Sequence, residues 1–373
     1  MKIVFSNASL VWGGNEKWTL RAAETLAGRG HAVTIAIRDP QIWEGHIHSD
    51  KVELVTLRFL NDADVGTVRA LRKLIQERDA DIFLPTRSRD YWLGGFANWG
   101  LKSKYVMRMG ITRTMPNTFK NRWRYGKFPD GIVVNAQAVK ESLAQHPWVD
   151  AAKIRVIYNG VDICPPQPPV NGGESDSPPV YGGTKGGESS ESGKFLVIGA
   201  GRVETEKGFD VLIDALAIAI RHEPAIRGVI FGLGDQVENL ERQIRDHNLT
   251  DRVRMGGFTK NLSAELRKAN LAVSSSYREG ISNFILESWA AGCPLIATAI
   301  EGSAEIVTDG VRGRLVPPGD AAKMADAILE AYRQPELRAA WIENGQKAIQ
   351  ETFNWQRMGE ELERFFEELV RQD

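Results

Sequence analysis

Two carboxylates, Glu279 and Glu287, stand eight positions apart in the stretch Arg278-Glu279-Gly280-Ile281-Ser282-Asn283-Phe284-Ile285-Leu286-Glu287-Ser288-Trp289-Ala290-Ala291-Gly292-Cys293-Pro294. A glycine follows the first. The second lies in a helix-like run that Gly292 and Pro294 stop. Apolar runs flank the stretch, Leu271-Ala272-Val273 before it and Pro294-Leu295-Ile296-Ala297-Thr298 after it, so it reads as strand, loop, helix, strand. In an open parallel sheet, ligands collect at the carboxyl ends of strands and at helix N-termini, whose backbone N–H groups are unpaired. Glu279 is expected in the loop and Glu287 a turn or so into the helix. Both can then face one ligand, with N–H donors between them.

A second constellation follows the first strand-like run of the second half: Gly199-Ala200-Gly201-Arg202-Val203-Glu204-Thr205-Glu206-Lys207-Gly208. A dinucleotide fingerprint would need its third glycine at position 204, where Glu204 stands. The nicotinamide reading weakens. Arg202 and Lys207 put two cations in this turn instead. Glycines that permit close backbone approach recur in Trp12-Gly13-Gly14-Asn15-Glu16-Lys17, a loop that opens a helix, and in Gly232-Leu233-Gly234-Asp235. Met255-Gly256-Gly257-Phe258-Thr259 closes another strand-like run.

Together these segments resemble retaining GT-B glycosyltransferases of the family 4 type, the glycosyl transferases group 1. Tyr158-Asn159-Gly160-Val161-Asp162, which looks like that family's end of the first domain, extends the resemblance to nearly the whole chain outside one linker. The resemblance implies an α/β GT-B fold, two Rossmann-like doubly wound domains facing each other across a cleft. It implies catalytic roles for Arg202, Lys207 and Glu279, with the two cations on the donor diphosphate and Glu279 beside the donor sugar. It implies donor contacts from Gly14, Gly234, Phe258, Gly280, Ile281, Ser282, Asn283 and Glu287. Glu287 would accept hydrogen bonds from the ribose, and the backbone around Phe258 would read the base, which leaves uracil, guanine and adenine open. The implied co-substrate is a UDP-, GDP- or ADP-sugar, with no cofactor and no metal, since the cations can replace one. The implied acceptor of the hexose-type sugar is a glycan, a lipid-linked sugar or a lipopolysaccharide-type molecule. A nucleotide-sugar epimerase, a phosphorylase or a catalytically silent nucleotide-sugar-binding protein on the same fold remains an alternative. No segment calls for the lysine of a pyridoxal phosphate phosphorylase, and no extra cleft carboxylates or histidines suggest an epimerase.

One departure concerns the acceptor side. Many family members carry a His after the strand equivalent to Asp81-Ile82-Phe83-Leu84, whereas this chain continues Pro85-Thr86-Arg87-Ser88-Arg89-Asp90. Arg89, Asp90 and Arg108 are the nearest polar candidates for acceptor contact, joined by Lys120 and Arg124. In the mechanism usually proposed for the family the leaving phosphate takes the acceptor proton, so a protein base is not required.

Tyr91 to Pro129 contains no Asp or Glu, but it carries Lys102, Lys104, Arg108, Arg113, Lys120, Arg122, Arg124 and Lys127. Phe119, Trp123, Tyr125 and Phe128 are interleaved. If Asn117 to Lys127 is helical, Lys120, Arg124 and Lys127 share a face. Such a patch fits an anionic acceptor or peripheral contact with an anionic membrane surface. The plainer alternative is a solvated basic face. Nucleic acid is not expected as a partner, because net charge is −1 and no nucleic-acid fold motif is present.

His46-Ile47-His48, Asp62-Ala63-Asp64 and Asp79-Ala80-Asp81 have metal-ligand residue types, but such short matches arise by chance and read as turns and strand edges. His31 and His146 read as structural or surface residues. Cys164 and Cys293 form no C-x-x-C pair, so neither a zinc site nor a disulfide framework is suggested, and Cys293 reads as a packed small residue.

These groups must be positioned by repeated strand-helix units. Strands are expected at Lys2 to Ser6, His31 to Ile37, Asp81 to Pro85, Tyr105 to Arg108, Gly131 to Asn135 and Arg155 to Tyr158, with a helix from Glu16 to Ala27. The second half repeats the plan. Its strands are expected at Phe195 to Ile198, Gly228 to Phe231 and Arg252 to Met255, with helices at Gly208 to Ile220, Glu238 to His247 and Leu262 to Ala269. Helices Ala321 to Tyr332 and Glu336 to Glu351 follow the paired-glutamate segment. The division is residues 1–163 for acceptor, a Pro/Gly/Ser-rich linker at 164–194, and 195–353 for donor. The amphipathic end, 354–373, is implied to pack back on the first domain. At 373 residues, 42% apolar and 25% charged, the chain suits two domains of a soluble protein. The apolar run at the start is too short to span a bilayer and lacks a cleavage site. A cytoplasmic place is expected, extending to the inner membrane face through the basic segment.

Overall fold

The computed structural model describes residues 1–47, 49–60, 64–111, 115–162 and 193–372. The linker segment 164–192, together with His48, Asp62, Ala63 and Arg113, lies outside the described residues.

The first half builds β1 (Lys2–Asn7), α1 (Gly14–Gly28), β2 (Ala32–Ile37), β3 (Val52–Thr56), α2 (Val65–Glu77), β4 (Ile82–Pro85), α3 (Ser88–Asn98), β5 (Lys104–Met109), α4 (Phe119–Asn121), β6 (Gly131–Val134), α5 (Gln137–Ala144) and β7 (Ile154–Val156). The seven strands form one parallel sheet in the order β3-β2-β1-β4-β5-β6-β7. The second half builds β8 (Phe195–Ala200), α6 (Phe209–His222), β9 (Ile226–Phe231), α7 (Val237–Asp246), β10 (Val253–Gly257), α8 (Leu262–Lys268), β11 (Leu271–Ser274), α9 (Asn283–Ala290), β12 (Leu295–Thr298), α10 (Glu301–Ile306), β13 (Arg314–Val316), α11 (Ala321–Arg333), α12 (Pro335–Glu351) and α13 (Trp355–Val370). Its parallel sheet runs β10-β9-β8-β11-β12-β13. Both orders reverse direction once, between β1 and β4 and between β8 and β11. At such a switch point the loops diverge to opposite faces and leave a crevice for a ligand.

Two features differ from the sequence reading. The elements β3, α2, α3, α5, α10 and β13 were not anticipated. Helix α3 contains Gly94-Gly95, a poor helix signal. Packing overrides propensity there: a Cβ on Gly94 would lie 2.9 Å from Phe83, and one on Gly95 2.2 Å from Phe128. Finally, Asn117 to Lys127 is not one α-helix. A short turn at Phe119–Asn121 runs into a π-helical turn at Arg122–Lys127. The wider turn breaks the expected shared face. Lys120 lies 5.5 Å above the Trp92 ring, Arg124 turns onto Tyr125, and Lys127 is exposed.

Helix α13 runs along the first sheet's layer, although it follows the second domain in sequence. Its Met358, Leu362, Phe365, Phe366 and Leu369 are buried in one core with Ile3, Phe5, Trp18 and Leu26. Each such side chain contributes on the order of 2 kcal/mol through removal from water. Gly131 gives the Phe365 ring room, since a Cβ there would come within 2.6 Å of it. Before this crossing, α12 packs on α9, with Gly345 against Trp289. Trp289 Nε1 donates to the Arg312 carbonyl at 2.9 Å, which fixes the helix that carries Glu287.

Candidate functional site

The β8 and β11 loops are adjacent because their strands are neighbours, and they are stitched together. Ser275 Oγ donates to the Lys207 carbonyl at 2.8 Å, and the Tyr277 N–H donates to the Glu206 carbonyl at 2.8 Å. Gly208 sits at φ +60°, and a Cβ there would lie 2.2 Å from the Ser275 carbonyl oxygen. Only glycine fits this turn. The stitching places Lys207 Nζ 2.6 Å from Glu279 Oε1, while Ser276 Oγ donates to the other carboxylate oxygen at 3.2 Å. Both side chains of the pair are about one-fifth exposed, so the pair is partly desolvated yet open to a ligand. Arg202 lies nearby in sequence but points to solvent and pairs with Glu204.

After Glu279 the loop enters α9 through buried Ile281 and Ser282. Buried side chains leave the backbone as what this segment can offer. The N-terminus of α9 has no side-chain cap bond, which suits an anion at that position. Asn283 Oδ1 accepts from Asn159 Nδ2 at 3.1 Å. Glu287 is the fifth residue of α9 and accepts from Lys17 Nζ of α1 at 2.7 Å.

The two halves therefore meet at their strand ends. A Cβ on Gly14 would lie 3.2 Å from Asn283 Nδ2, and one on Gly280 2.5 Å from the Gly110 carbonyl oxygen. Glu305 of α10 reaches across to accept from the Gln137 N–H at 2.8 Å and from Tyr158 Oη at 2.8 Å. This carboxylate caps α5 of the opposite half, where the helix dipole favours it. Burial and Glu305 together push the Tyr158 phenol well above its usual range. A gap between the halves remains around Gly14, Lys17, Trp18, Gly160 and Glu287. A larger shallow groove of about 570 Å³ lies by Arg221 and His247, at the carboxyl ends of α6 and α7. That is the amino end of the strands, away from every group just described.

On the first domain a polar network underlies the cleft. Arg108 is buried, with Nη1 2.8 Å from Asn15 Oδ1 and Nη2 3.1 Å from Asn159 Oδ1, and its guanidinium lies 4.5 Å over the Trp18 ring. Desolvation lowers its pKa to about 10, which leaves it charged at neutral pH. Asp90 is fully buried and accepts from the Ala8 N–H at 3.0 Å. Burial pushes its carboxyl up to about 7, against the opposing pull of that hydrogen bond and of Arg87 and Arg89. Arg89 is exposed. Arg87 pairs with buried Glu16 at 3.1 Å.

Lys207, Glu279, Gly280, Ile281, Ser282, Asn283, Glu287 and Gly14 thus converge. Gly234 stands one loop away, its backbone packed on Val203. Phe258 is exposed beyond the edge strand β10, and Lys120 and Arg124 lie over α3 and its neighbouring turn. Sequence reasoning assigned no role to Lys17, Asn159 or Glu305. Lys17 did leave a signal: a cation in the first turn of a helix opposes the dipole and needs a compensating partner. Nothing in the local sequence marks Asn159 or Glu305 as reaching the other domain. The short acidic matches have structural partners. Asp64 caps α2, Asp79 pairs with Lys2 and Lys102, and Asp81 accepts from the Lys2 N–H. His46 stacks on Trp12, and His31 lies 2.8 Å from Glu363. Cys293 is buried, and burial raises its thiol to about 12. Among the described residues no helix is long and apolar enough to cross a membrane.

Two family models match the chain: residues 185–348 match Glycosyl transferases group 1, and residues 12–163 match Glycosyltransferase Family 4. A similar relative is the lipopolysaccharide core biosynthesis glycosyltransferase LpsE of Rhizobium meliloti (strain 1021). It is 26% identical over 342 residues, covering 90% of this chain and 91% of that protein. The crystal structure of HepE from Anabaena in complex with UDP superposes with a TM-score of 0.80 at 20% identity, covering 99% of this chain and 100% of that one. Sucrose-phosphate synthase from Thermosynechococcus elongatus gives 0.78 at 19% identity over the full length of both chains. Identity at this level carries the fold, which is GT-B.

Proposed function

The chain belongs to the family 4-like GT-B glycosyltransferases, and we propose that it is a retaining, metal-independent member that moves a hexose from a uridine diphosphate sugar to a glycan or lipid-linked acceptor. The observation that carries this reading is the convergence of the Lys207–Glu279 and Lys17–Glu287 pairs on one segment, the first just before the loop Gly280 to Asn283 and the second one turn beyond it in α9. The donor diphosphate sits on the N-terminus of α9 and beside Lys207. Glu287 takes the ribose hydroxyls, and Glu279 the hydroxyls of the sugar.

Negative charge grows on the diphosphate as the sugar–phosphate bond lengthens, and Lys207, held in place by Glu279, stabilises that charge more than it stabilises the bound donor. Arg202 swings from Glu204 to the same phosphates. The leaving phosphate takes the acceptor proton, so the absence of a histidine after β4 does not stop transfer. Closure of the halves excludes water and favours transfer over hydrolysis. The choice of uridine is supported by HepE, a solved structure of the same fold whose complexes hold UDP, UDP with glucose, or UDP-glucose. The acceptor class is supported by the lipopolysaccharide core relative, which matches over most of both chains.

The test is a thermal-shift panel of UDP-, GDP- and ADP-sugars with and without EDTA. A rise with the uridine compounds alone, unaffected by EDTA, is expected. A rise confined to another base, or one abolished by EDTA, overturns the donor or the metal-independent part of the reading. Proton NMR of the first product distinguishes retention from inversion at the anomeric carbon.

A further inference from the structure

We infer that the outer face of α3 and the π-helical turn of the first domain is a docking surface for an anionic lipid bilayer. Rings in contact form a continuous apolar ridge on that face. Phe119 lies 5.1 Å from Trp123, Trp123 stacks 4.9 Å from Trp99, and Trp99 stacks 6.5 Å from Phe96. Phe128 packs beneath Trp99, Trp123 and Phe96 and holds them in place. The ridge is open to solvent, with Phe119 68% exposed, Trp99 46% and Phe96 38%. Soluble monomers rarely leave contiguous aromatic surface in water without a use for it.

The segment that builds the ridge carries charge of one sign. No acidic residue occurs from Tyr91 to Pro129. Arg122 and Lys127 are exposed on the π-helical turn itself, and Lys120 lies over the Trp92 ring. Near an anionic leaflet each added Lys or Arg strengthens binding about fivefold. A soluble polyanion would satisfy the cations but leave the rings in water. A neutral apolar partner would cover the rings but leave the cations unanswered. A bilayer interface with anionic headgroups takes both, because Trp and Phe rings settle at headgroup depth while basic side chains reach the phosphates.

The docking itself does not depend on the proposed reaction and is measured without it.

The experiment is co-sedimentation of the full chain with vesicles of phosphatidylcholine alone or of phosphatidylcholine with phosphatidylglycerol. Binding to the mixed vesicles only is expected, together with a blue shift of tryptophan emission and loss of binding at high salt. Arg122→Glu with Lys127→Glu is expected to weaken binding at least tenfold. Phe119→Ser is expected to weaken it severalfold and leave its salt dependence in place. Melting curves followed by circular dichroism confirm that each variant is folded. Equal binding to both vesicle types, no binding to either, or unchanged binding of the folded charge-reversed variant overturns the inference.

Discussion

Lys17 Nζ and Glu287 Oε1 lie 2.7 Å apart although 270 positions separate them in the chain. The pair joins the first turn of α1 to the middle of α9 and spans the two domains. Both side chains retain some exposure, so the pair is a weak tie that a ligand can replace. Removing the carboxylate tests its proposed place on the ribose. Glu287→Ala is expected to weaken UDP-sugar binding by roughly 1–3 kcal/mol through lost charge-assisted hydrogen bonds. Calorimetric titration measures this, and unchanged affinity would remove Glu287 from the donor site.

Lys207 is expected to act on the transition state more than on binding. Lys207→Ala should lower kcat by on the order of 10²-fold or more, with a much smaller change in KM. Its partner Glu279 then loses a cation 2.6 Å away, so the variant is checked for folding by its melting temperature. Steady-state kinetics with wild-type turnover would contradict a leaving-group role.

Gly280 tests the closed arrangement. A Cβ there would come within 2.5 Å of the Gly110 carbonyl oxygen, which belongs to the opposite domain. Gly280→Ala is expected to hold the halves apart while each domain stays folded. Small-angle scattering should show a larger radius of gyration and kinetics a lower kcat. An unchanged radius together with full activity would mean that the contact is not required for turnover.

Asp90 gives stability a pH dependence. Its carboxyl is raised from 3.8 to about 7 in the folded protein, so the folded state holds its proton more tightly than the unfolded chain does. The resulting stabilisation is full below about pH 4 and is lost as pH rises towards 7. The loss from this residue is expected to be on the order of 2–4 kcal/mol. Asp90→Asn keeps an acceptor for the Ala8 N–H and removes the titration. Urea unfolding at several pH values should show that the variant gains on the wild type between about pH 4 and pH 7. Parallel pH profiles for the two proteins would refute the assignment.

The two-domain parallel architecture was legible because buried parallel strands need near-continuous apolar runs, and helices between them announce themselves by period and by glycine stops. Lys2 to Ser6, Phe195 to Ile198 and Leu271 to Val273 are such runs, and each is a strand. Helix α3 was not legible, because its glycine pair is a cost locally and becomes sensible only against Phe83 and Phe128. The π-helical turn at Arg122–Lys127 also escaped, since the pattern of charges fits an ordinary helix as well.

By itself the sequence determined which polar groups of the second domain stand together after the strand ends. Glu279 and Lys207 stand beside glycines that force loops at strand ends, Glu287 follows in the helix that leaves one of them, and that information is local. The tertiary structure decided the partners. Glu287 meets Lys17, Asn283 meets Asn159, and Glu305 caps α5, all across an interface between elements far apart in the chain. A side chain's type and its neighbours in sequence fix where it leaves its own loop. They do not fix which surface is brought opposite, because that depends on how two folded domains and the returning α13 pack together.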